Sequence, residues 1–161
     1  MEATVRHHFD QGVDRLFALM TDGDFLKRRA ESVGELNVVV RADRQGQGLS
    51  IRIDRDLERN MPAFMKKVFN SKNHLVDLQT WETGGDVKTS SWTVQIEGQK
   101  RIDIRGRLTL SSSAGGGCDY TESFTVTVHI PLIGGRIEKY IAGETEQTIR
   151  RQLDFTRKEL G

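Results

Sequence analysis

The feature that most constrains the fold of this chain is a change of hydrophobic period in its last third. Residues 120–130 alternate apolar with mainly hydroxylated side chains, the pattern of a strand with one buried and one solvated face. After a Pro-Leu-Ile-Gly-Gly segment (131–135), apolar residues recur at helical spacing from Arg136 to Leu160. A helix of that length with a single apolar stripe needs a broad apolar surface to cover it, so the preceding residues must supply that surface.

The N-terminal quarter predicts one strand and two short helices. Asp10 is predicted to cap the first helix, and Asp22 or Asp24 the second, because short polar side chains accept from free backbone N–H groups. Apolar residues alternate in the strand and recur at helical spacing afterwards, which places these elements at 3–9, 13–20 and 25–32.

The middle of the chain predicts antiparallel strands. Turn residues rich in glycine separate alternating segments, and such pairs of segments form hairpins. The predicted strands are 36–42, 49–57, 74–82, 87–97, 101–111 and 119–130. In this meander the loop 58–72, the turn 98–100 and the junction 131–135 meet at one end of the sheet.

The loop 58–72 is unusually long and apolar for a connection between neighbouring strands. Pro62 predicts a short amphipathic helix that runs to about Phe69. Apolar residues in an exposed loop must cover something. We therefore expect this loop to close an internal cavity between the sheet and the long helix, the usual place for a ligand.

The predicted interior of the sheet is an apolar set that faces the long helix. Gly106 interrupts this set on its strand, and Ala142-Gly143 interrupts the helix, so either two parts of the chain approach closely there or space is left. The interior set comprises Leu49, Ile51, Ile53, Leu57, Val76, Leu78, Trp92, Val94, Ile96, Ile102, Ile104, Leu108, Leu110, Phe124, Val126 and Val128, facing Ile137, Tyr140 and Ile141.

The segment from Ile130 to Ile141, with its Pro-Leu-Ile-Gly-Gly element, resembles the signature of a bacterial family known as domain of unknown function 2505. That family belongs to the START-like (SRPBCC, Bet v 1-like) helix-grip superfamily. Residues 17–26, the stretch around 61–64 and residues 79–82 are similar to it too, so the resemblance spans nearly the whole chain.

The resemblance implies an α+β fold in a single domain, 1–161. A curved antiparallel seven-stranded sheet would wrap around a long C-terminal helix, with two short helices after the first strand and an apolar cavity inside. It implies no particular reaction, because the superfamily includes lipid carriers, hormone receptors, polyketide cyclases and chaperone activators.

Composition argues against several classes of function. The net charge is +1, with opposite charges interleaved, so we expect no nucleic-acid partner. No apolar run is long enough for a membrane span, and the single cysteine, Cys118, is typical of a reducing compartment. We therefore predict a cytoplasmic protein without integral membrane association.

Few residues offer reactive chemistry. His7 and His8 are adjacent on a strand and point to opposite faces, so no metal site or other cofactor is predicted. Arg55 and Glu122 break the apolar interior pattern at opposite ends of the sheet. Arg55 would contact the polar head of a bound acid, or it would turn outwards or pair with a carboxylate such as Asp77.

The sequence also leaves alternatives for the orientation of Trp81 and for the role of the glycines at 134 and 135. Trp92 shares a face with Val94 and is predicted to line the cavity, whereas Trp81 would face the other way unless a bulge intervenes. The glycines at 134 and 135 form either a tight strand-to-helix corner or a hinge that admits ligand.

The leading hypothesis is a non-enzymatic binder of an apolar small molecule such as a lipid or fatty acid. One alternative is a polyketide cyclase or aromatase-like enzyme, which needs several polar groups inside the cavity. The other is a module whose exposed apolar loop docks on an unidentified protein. The predicted binding residues are Arg55, Met61, Phe64, Met65, Leu78, Trp92, Ile104, Phe124, Ile133, Gly134, Ile137, Tyr140 and Ile141, with no catalytic residue assigned.

Overall fold

In a computed structural model that describes all 161 residues, seven strands and four helices follow one another along the chain. In chain order they are β1 (Glu2–Phe9), α1 (Val13–Met20), α2 (Gly23–Ser32), β2 (Leu36–Gln45), β3 (Gly48–Glu58), α3 (Ala63–Lys66), β4 (Lys72–Glu82), β5 (Lys88–Ile96), β6 (Ile102–Ser112), β7 (Cys118–Val128) and α4 (Gly134–Leu160).

The strands form one antiparallel sheet in the order β1-β7-β6-β5-β4-β3-β2. Strands β2 to β7 are a meander, and β1 closes the far edge by pairing with β7. Helix α4 packs against β1, β7 and α2, and it buries an apolar stripe that includes Ile137, Ile149 and Leu153. The predicted α+β helix-grip arrangement is confirmed.

The short helices differ from the prediction in two respects. The Asp22 carboxylate accepts a hydrogen bond of 2.9 Å from the backbone N–H of Phe25 and so begins α2. The prediction for Asp10 was wrong, because α1 begins after Gly12 and has no side-chain cap. Helix α3 is also shorter than predicted, because it ends at Lys66.

The interior face of β4 differs from the prediction. Val76 and Leu78 were expected inside, but the pairing of Leu49 with Trp81 and of Ile53 with Asp77 places odd-numbered residues of β4 there. Leu78 is 38% exposed on the outer face, whereas Trp81 is buried. The interior positions of β4 include Asp77 and other polar residues, so hydrophobic alternation indicates the wrong face.

Gly134 is required by a close backbone approach, whereas Gly143 has open space around it. A Cβ on Gly134 would lie 2.7 Å from the carbonyl oxygen of Val128, so the close approach at this corner requires glycine. This geometry matches the tight-corner interpretation of the junction. Gly143 has no atom within 4 Å of a Cβ position and lies on the exposed side of α4.

The three connections predicted at one end of the sheet do meet there. The side-chain amide of Gln99 donates to the carbonyl of Val68 at 2.7 Å, which joins the turn after β5 to the loop after β3. The backbone N–H of His129 donates to the carbonyl of Arg101 at 2.8 Å, which brings the end of β7 alongside. None of the helices combines the length and the apolar composition that a membrane span requires.

Candidate functional site

A cavity of about 220 Å³ lies between α4 and the interior face of the sheet. The strands supply alternate side chains to its wall, because residues two apart in a strand point to the same face. One end of the cavity is covered by residues 59–71, the entrance loop. Polar side chains, among them Arg55, Arg59 and Glu122, line the same cavity, which is therefore amphipathic.

Apolar side chains surround the cavity near the entrance loop. Met65 and Phe69 of that loop are themselves buried, which argues against an exposed apolar patch for docking a partner. The packing here is that of a covered pocket rather than of a surface. The apolar lining at this end comprises Leu57, Met61, Met65, Phe69, Ile96, Tyr140 and Ile141.

The entrance loop is attached to α4 by charge and by aromatic contacts. Arg59 forms an ion pair with Glu144, and both side chains line the cavity. The ring of Phe64 meets that of Tyr140 edge to face, with centroids 6.1 Å apart. The guanidinium carbon of Arg136 lies 4.0 Å from the centre of the Phe64 ring, within the range of a cation–π interaction. The loop is therefore held to α4 by one ion pair, one aromatic contact and one cation–π contact.

Arg55 lies inside the cavity wall between two carboxylates. Its Nε is 2.9 Å from Oε2 of Glu35, and its Nη1 is 2.5 Å from Oδ1 of Asp77. Arg55 is only 7% exposed and Glu35 only 6%. These contacts are mainly electrostatic, because neither nitrogen has its N–H aligned with the facing oxygen for a hydrogen bond. The predicted pairing with Asp77 is present, and Glu35 joins it.

Burial and charge together set the ionisation of this group. Burial works to lower the pKa of Arg55, but Asp77 and Glu35 outweigh it, so the pKa of Arg55 is raised. Burial raises the pKa of Glu35, with the attraction of Arg55 opposing that shift. Arg55 therefore stays charged, and its charge is balanced by the protein itself.

Glu122 is the second charged residue of the interior, and it is paired with Tyr120. The Tyr120 hydroxyl donates to the Glu122 carboxyl, and both side chains line the cavity. Burial raises the pKa of Glu122, although the Tyr120 hydrogen bond opposes this shift. Burial also raises the pKa of Tyr120, and the neighbouring Glu122 adds to that shift. Burial thus favours the neutral form of Glu122 more strongly than water does.

Arg55 and Glu122 belong to one network despite their distant strand positions. At both Glu35 and Glu122, the positive charge of Arg29 opposes the rise in pKa that burial causes, and the negative charge of Asp77 adds to that rise. The sequence placed Arg55 and Glu122 at opposite ends, but their long side chains reach the same cavity. We call Arg29, Glu35, Arg55, Asp77, Ser90, Tyr120 and Glu122 the polar cluster; all of them line the cavity.

Apart from the Arg55 and Asp77 atoms of the ion group, three polar atoms of the cavity lining have no aligned hydrogen-bond partner in the protein. They are Nε of Arg29, Oγ of Ser90 and Nε1 of Trp92. Ser90 is only 1% exposed. Because buried polar atoms in proteins are nearly always hydrogen-bonded, these atoms mark a place where a bound molecule or water completes the site.

The structure brings part of the predicted binding set together. Three predicted residues do not line the cavity: Ile137 is fully buried, Phe124 packs against Trp92, and Phe64 packs against Tyr140 of α4. Leu78 on the outer face was wrongly placed, and Ile133 and Gly134 lie at the corner before α4 and do not line the cavity. Those that line it are Arg55, Met61, Met65, Trp92, Ile104, Tyr140 and Ile141, and their role in binding stays a prediction.

Sequence reasoning missed most of the polar cluster. Arg29 and Glu35 reach the cavity only because α2 and the turn after it pack over the sheet, a relationship without a local signal. Gln79 and Ser90 lie on the interior faces of β4 and β5. The signal that could have found Gln79 is its spacing of two from Trp81.

The remaining candidate groups lie outside the cavity. His7 packs against Phe9 with ring centroids 4.6 Å apart, and burial lowers the pKa of His7. Cys118 is fully buried, and burial raises the pKa of its thiol, which disfavours the reactive thiolate. No three His, Cys, Asp or Glu side chains are placed to bind one metal ion.

Comparison with known proteins supports the architecture. A family described as "Protein of unknown function (DUF2505)" matches residues 4–160. No curated protein sequence is significantly similar to this chain.

Solved structures with the same fold share little sequence with this chain. TTHA0849 from Thermus thermophilus has a TM-score of 0.65 at 15% identity, covering 96% of this chain and 92% of its own. DR_A0006 from Deinococcus radiodurans has a TM-score of 0.56 at 15% identity, covering 99% and 96%. Mll3558 from Rhizobium loti has a TM-score of 0.59 at 16% identity, again covering 99% and 96%. At such low identity these likenesses show the helix-grip fold alone.

Proposed function

The chain belongs to the DUF2505 family, and we propose that it binds a small, mainly apolar molecule in the cavity between α4 and the sheet. The observation that supports this proposal is an amphipathic cavity in whose lining three polar atoms outside the Arg55 ion group have no hydrogen-bond partner. A core built only for stability would fill that volume and pair those atoms.

The volume of the cavity limits the size of the ligand. Its volume of about 220 Å³ exceeds the roughly 150 Å³ that holds benzene in an engineered cavity and is below the roughly 300 Å³ at which common ligand pockets begin. A ligand somewhat larger than benzene fits without rearrangement. A long fatty acid, which the sequence suggested, would have to displace the entrance loop.

The driving force for binding is removal of apolar surface from water. Each Å² of apolar surface contributes about 25 cal/mol, less the free energy required to order the ligand and the entrance loop. Methionines at positions 61 and 65 give the apolar end an adaptable lining, since their unbranched side chains follow ligands of different shape.

Native mass spectrometry of freshly purified protein tests this function. We expect an added mass that disappears on denaturation and is recovered by solvent extraction. Thr148 lines the cavity from α4, and its neighbour Gln147 is exposed. Thr148→Trp should fill the cavity and abolish the added mass, whereas Gln147→Trp should retain it.

The result that would refute the proposal is a protein without added mass that no small apolar probe stabilises. An added mass that survives Thr148→Trp would contradict the location of the site.

A second function, conversion of the bound molecule in the manner of a cyclase or aromatase, is supported by one observation. Tyr120 donates to the buried Glu122 on the cavity wall, and a carboxyl group whose pKa is raised by burial suits a general acid. Glu122→Gln should then abolish turnover while ligand binding is kept. Cytoplasmic localisation and the absence of a nucleic-acid partner stay predictions from composition.

A further inference from the structure

The unpartnered atoms of the cavity are predominantly hydrogen-bond donors. Nε1 of Trp92 and Nε of Arg29 carry only an N–H, whereas Oγ of Ser90 both donates and accepts. Ser90 and Trp92 are alternate residues on the interior face of β5, so both side chains project into the cavity. A ligand that satisfies these donors must therefore contain a hydrogen-bond acceptor.

The negative groups of the polar cluster already have partners. Glu35 and Asp77 both contact Arg55, at 2.9 and 2.5 Å. Glu122 accepts from the Tyr120 hydroxyl, and the indole N–H of Trp92 lies near Glu122 without being aligned on it. A ligand cation would have to compete with Arg55 for Glu35 and Asp77, and it would leave the unpartnered donors unsatisfied.

A ligand carboxylate is also disfavoured, because Arg55 is already paired with two carboxylates of the protein. The cluster contains two arginines, Arg29 and Arg55, and three carboxyl groups, Glu35, Asp77 and Glu122, and burial favours the neutral form of Glu122. A ligand carboxylate would add a further negative charge beside Glu35 and Asp77 in a site with little water, where like charges repel strongly. A neutral acceptor avoids that repulsion and still satisfies the donors.

We propose that the cavity selects a neutral carbonyl compound, such as a ketone or ester on an apolar body, and rejects the carboxylate of the same length. This inference rests on the proposed function and specifies its ligand class. The carbonyl oxygen accepts from Trp92 Nε1 and Ser90 Oγ, while the apolar body lies against the methionine and tyrosine side chains near the entrance loop.

Isothermal titration calorimetry with four eight-carbon probes tests the proposal: 2-octanone, 1-octanol, octane and octanoate, at a pH where octanoate is charged. We expect 2-octanone to bind most tightly and octanoate most weakly. Since one hydrogen bond changes affinity by about 2- to 10-fold, two should separate 2-octanone from octane by about 5-fold or more. The alcohol should fall between them, because its hydrogen needs an acceptor of its own.

Two variants assign the selectivity to the unpartnered donors. Ser90→Ala and Trp92→Phe should each reduce the ratio of 2-octanone to octane affinity towards one. Trp81→Phe is the matched comparison, because Nε1 of Trp81 already donates to Oε1 of Gln79 at 3.1 Å. That change should alter the affinity for all four probes alike and leave their ratios unchanged.

Octanoate binding as tight as that of 2-octanone would overturn the proposed ligand class and leave the binding function standing. Equal binding of octane and 2-octanone would overturn the role of the donors. Failure of all four probes to bind would refute both the ligand class and the binding function.

Discussion

The indole ring of Trp92 occupies the space that a side chain at position 106 would need. A Cβ on Gly106 would lie 2.3 Å from Cζ2 of Trp92 and 2.8 Å from the carbonyl oxygen of Ser123. The two residues face each other across β5 and β6, so the ring lies over the glycine backbone. The glycine therefore marks a close approach and determines where the Trp92 N–H points.

Gly106→Ala should destabilise the protein and disturb the cavity. Because Trp92 must move from its place over β6, we expect a loss of about 1–3 kcal/mol in the free energy of unfolding. Gly143→Ala is the matched control, since its Cβ would meet nothing within 4 Å on an exposed helical position. That change should increase stability by about 0.5–1 kcal/mol. Urea unfolding measures both, and equal effects at the two sites would contradict this explanation.

Arg55→Met should be among the most destabilising changes outside the apolar core. It leaves Glu35 and Asp77 buried without a counter-charge, which costs about 3–5 kcal/mol. Arg52→Met is the control, because Arg52 pairs with Asp54 on the exposed surface, where such pairs contribute about 0–1 kcal/mol. Replacing Glu35 and Asp77 by their amides in the Arg55→Met background should restore part of the loss. A similar effect of both arginine changes in urea unfolding would be inconsistent with a buried ion group.

Glu122→Gln should change how stability depends on pH. The folded protein raises the pKa of Glu122, so it binds a proton more tightly than the unfolded chain does. Stability contributed by this group is complete below the ordinary glutamate pKa of about 4.3 and falls as the pH rises towards the folded value. Each unit of that difference corresponds to about 1.4 kcal/mol.

The variant minus wild-type difference in unfolding free energy should therefore grow with pH and then level off. Urea unfolding from pH 4 to pH 8 measures this difference. Glu97→Gln is the control, an exposed position where we expect a change below about 0.5 kcal/mol. A difference that shrinks with pH would mean that Glu122 is stabilised as the carboxylate.

Arg59→Ala should loosen the entrance loop without affecting the sheet. Loss of the ion pair to Glu144 removes about 0.5–1 kcal/mol of attachment, which corresponds to roughly 2- to 5-fold faster amide exchange in the loop. Arg105→Ala is the control, because Arg105 pairs with Asp103 on the exposed surface at 2.7 Å. Hydrogen exchange followed by mass spectrometry resolves the two regions. Unchanged exchange over 59–71 would show that Phe64 and Arg136 hold the loop alone.

The parts of the fold that could be predicted are those in which the apolar residues are buried and the polar residues are exposed. In β7 every buried side chain but Glu122 is apolar or aromatic, so alternation alone indicated the strand and its buried face. The apolar stripe of α4 and the glycine corner before it were equally clear. These features depend on neighbours within a few residues, which a single sequence contains.

The polar side of the cavity could not be predicted in the same way. On β4 the interior positions alternate between Leu75, Trp81 and polar residues, while Val76 and Leu78 face outwards, so polarity indicates the wrong face. Arg29 meets Glu35 and Glu122 only through the packing of α2 over the sheet. Such a meeting depends on long-range geometry, for which alternation and spacing contain no information.

The position of α4 at the end of the order of elements has a consequence for how the protein is made. All seven strands leave the ribosome before the 27 residues of α4, and the first strand finds its partner only when β7 has been synthesised. At about 5–20 residues per second, synthesis of α4 takes a few seconds, and until then the helix does not cover the apolar face of the nascent sheet. During that interval the uncovered apolar face of the sheet makes the chain prone to aggregation.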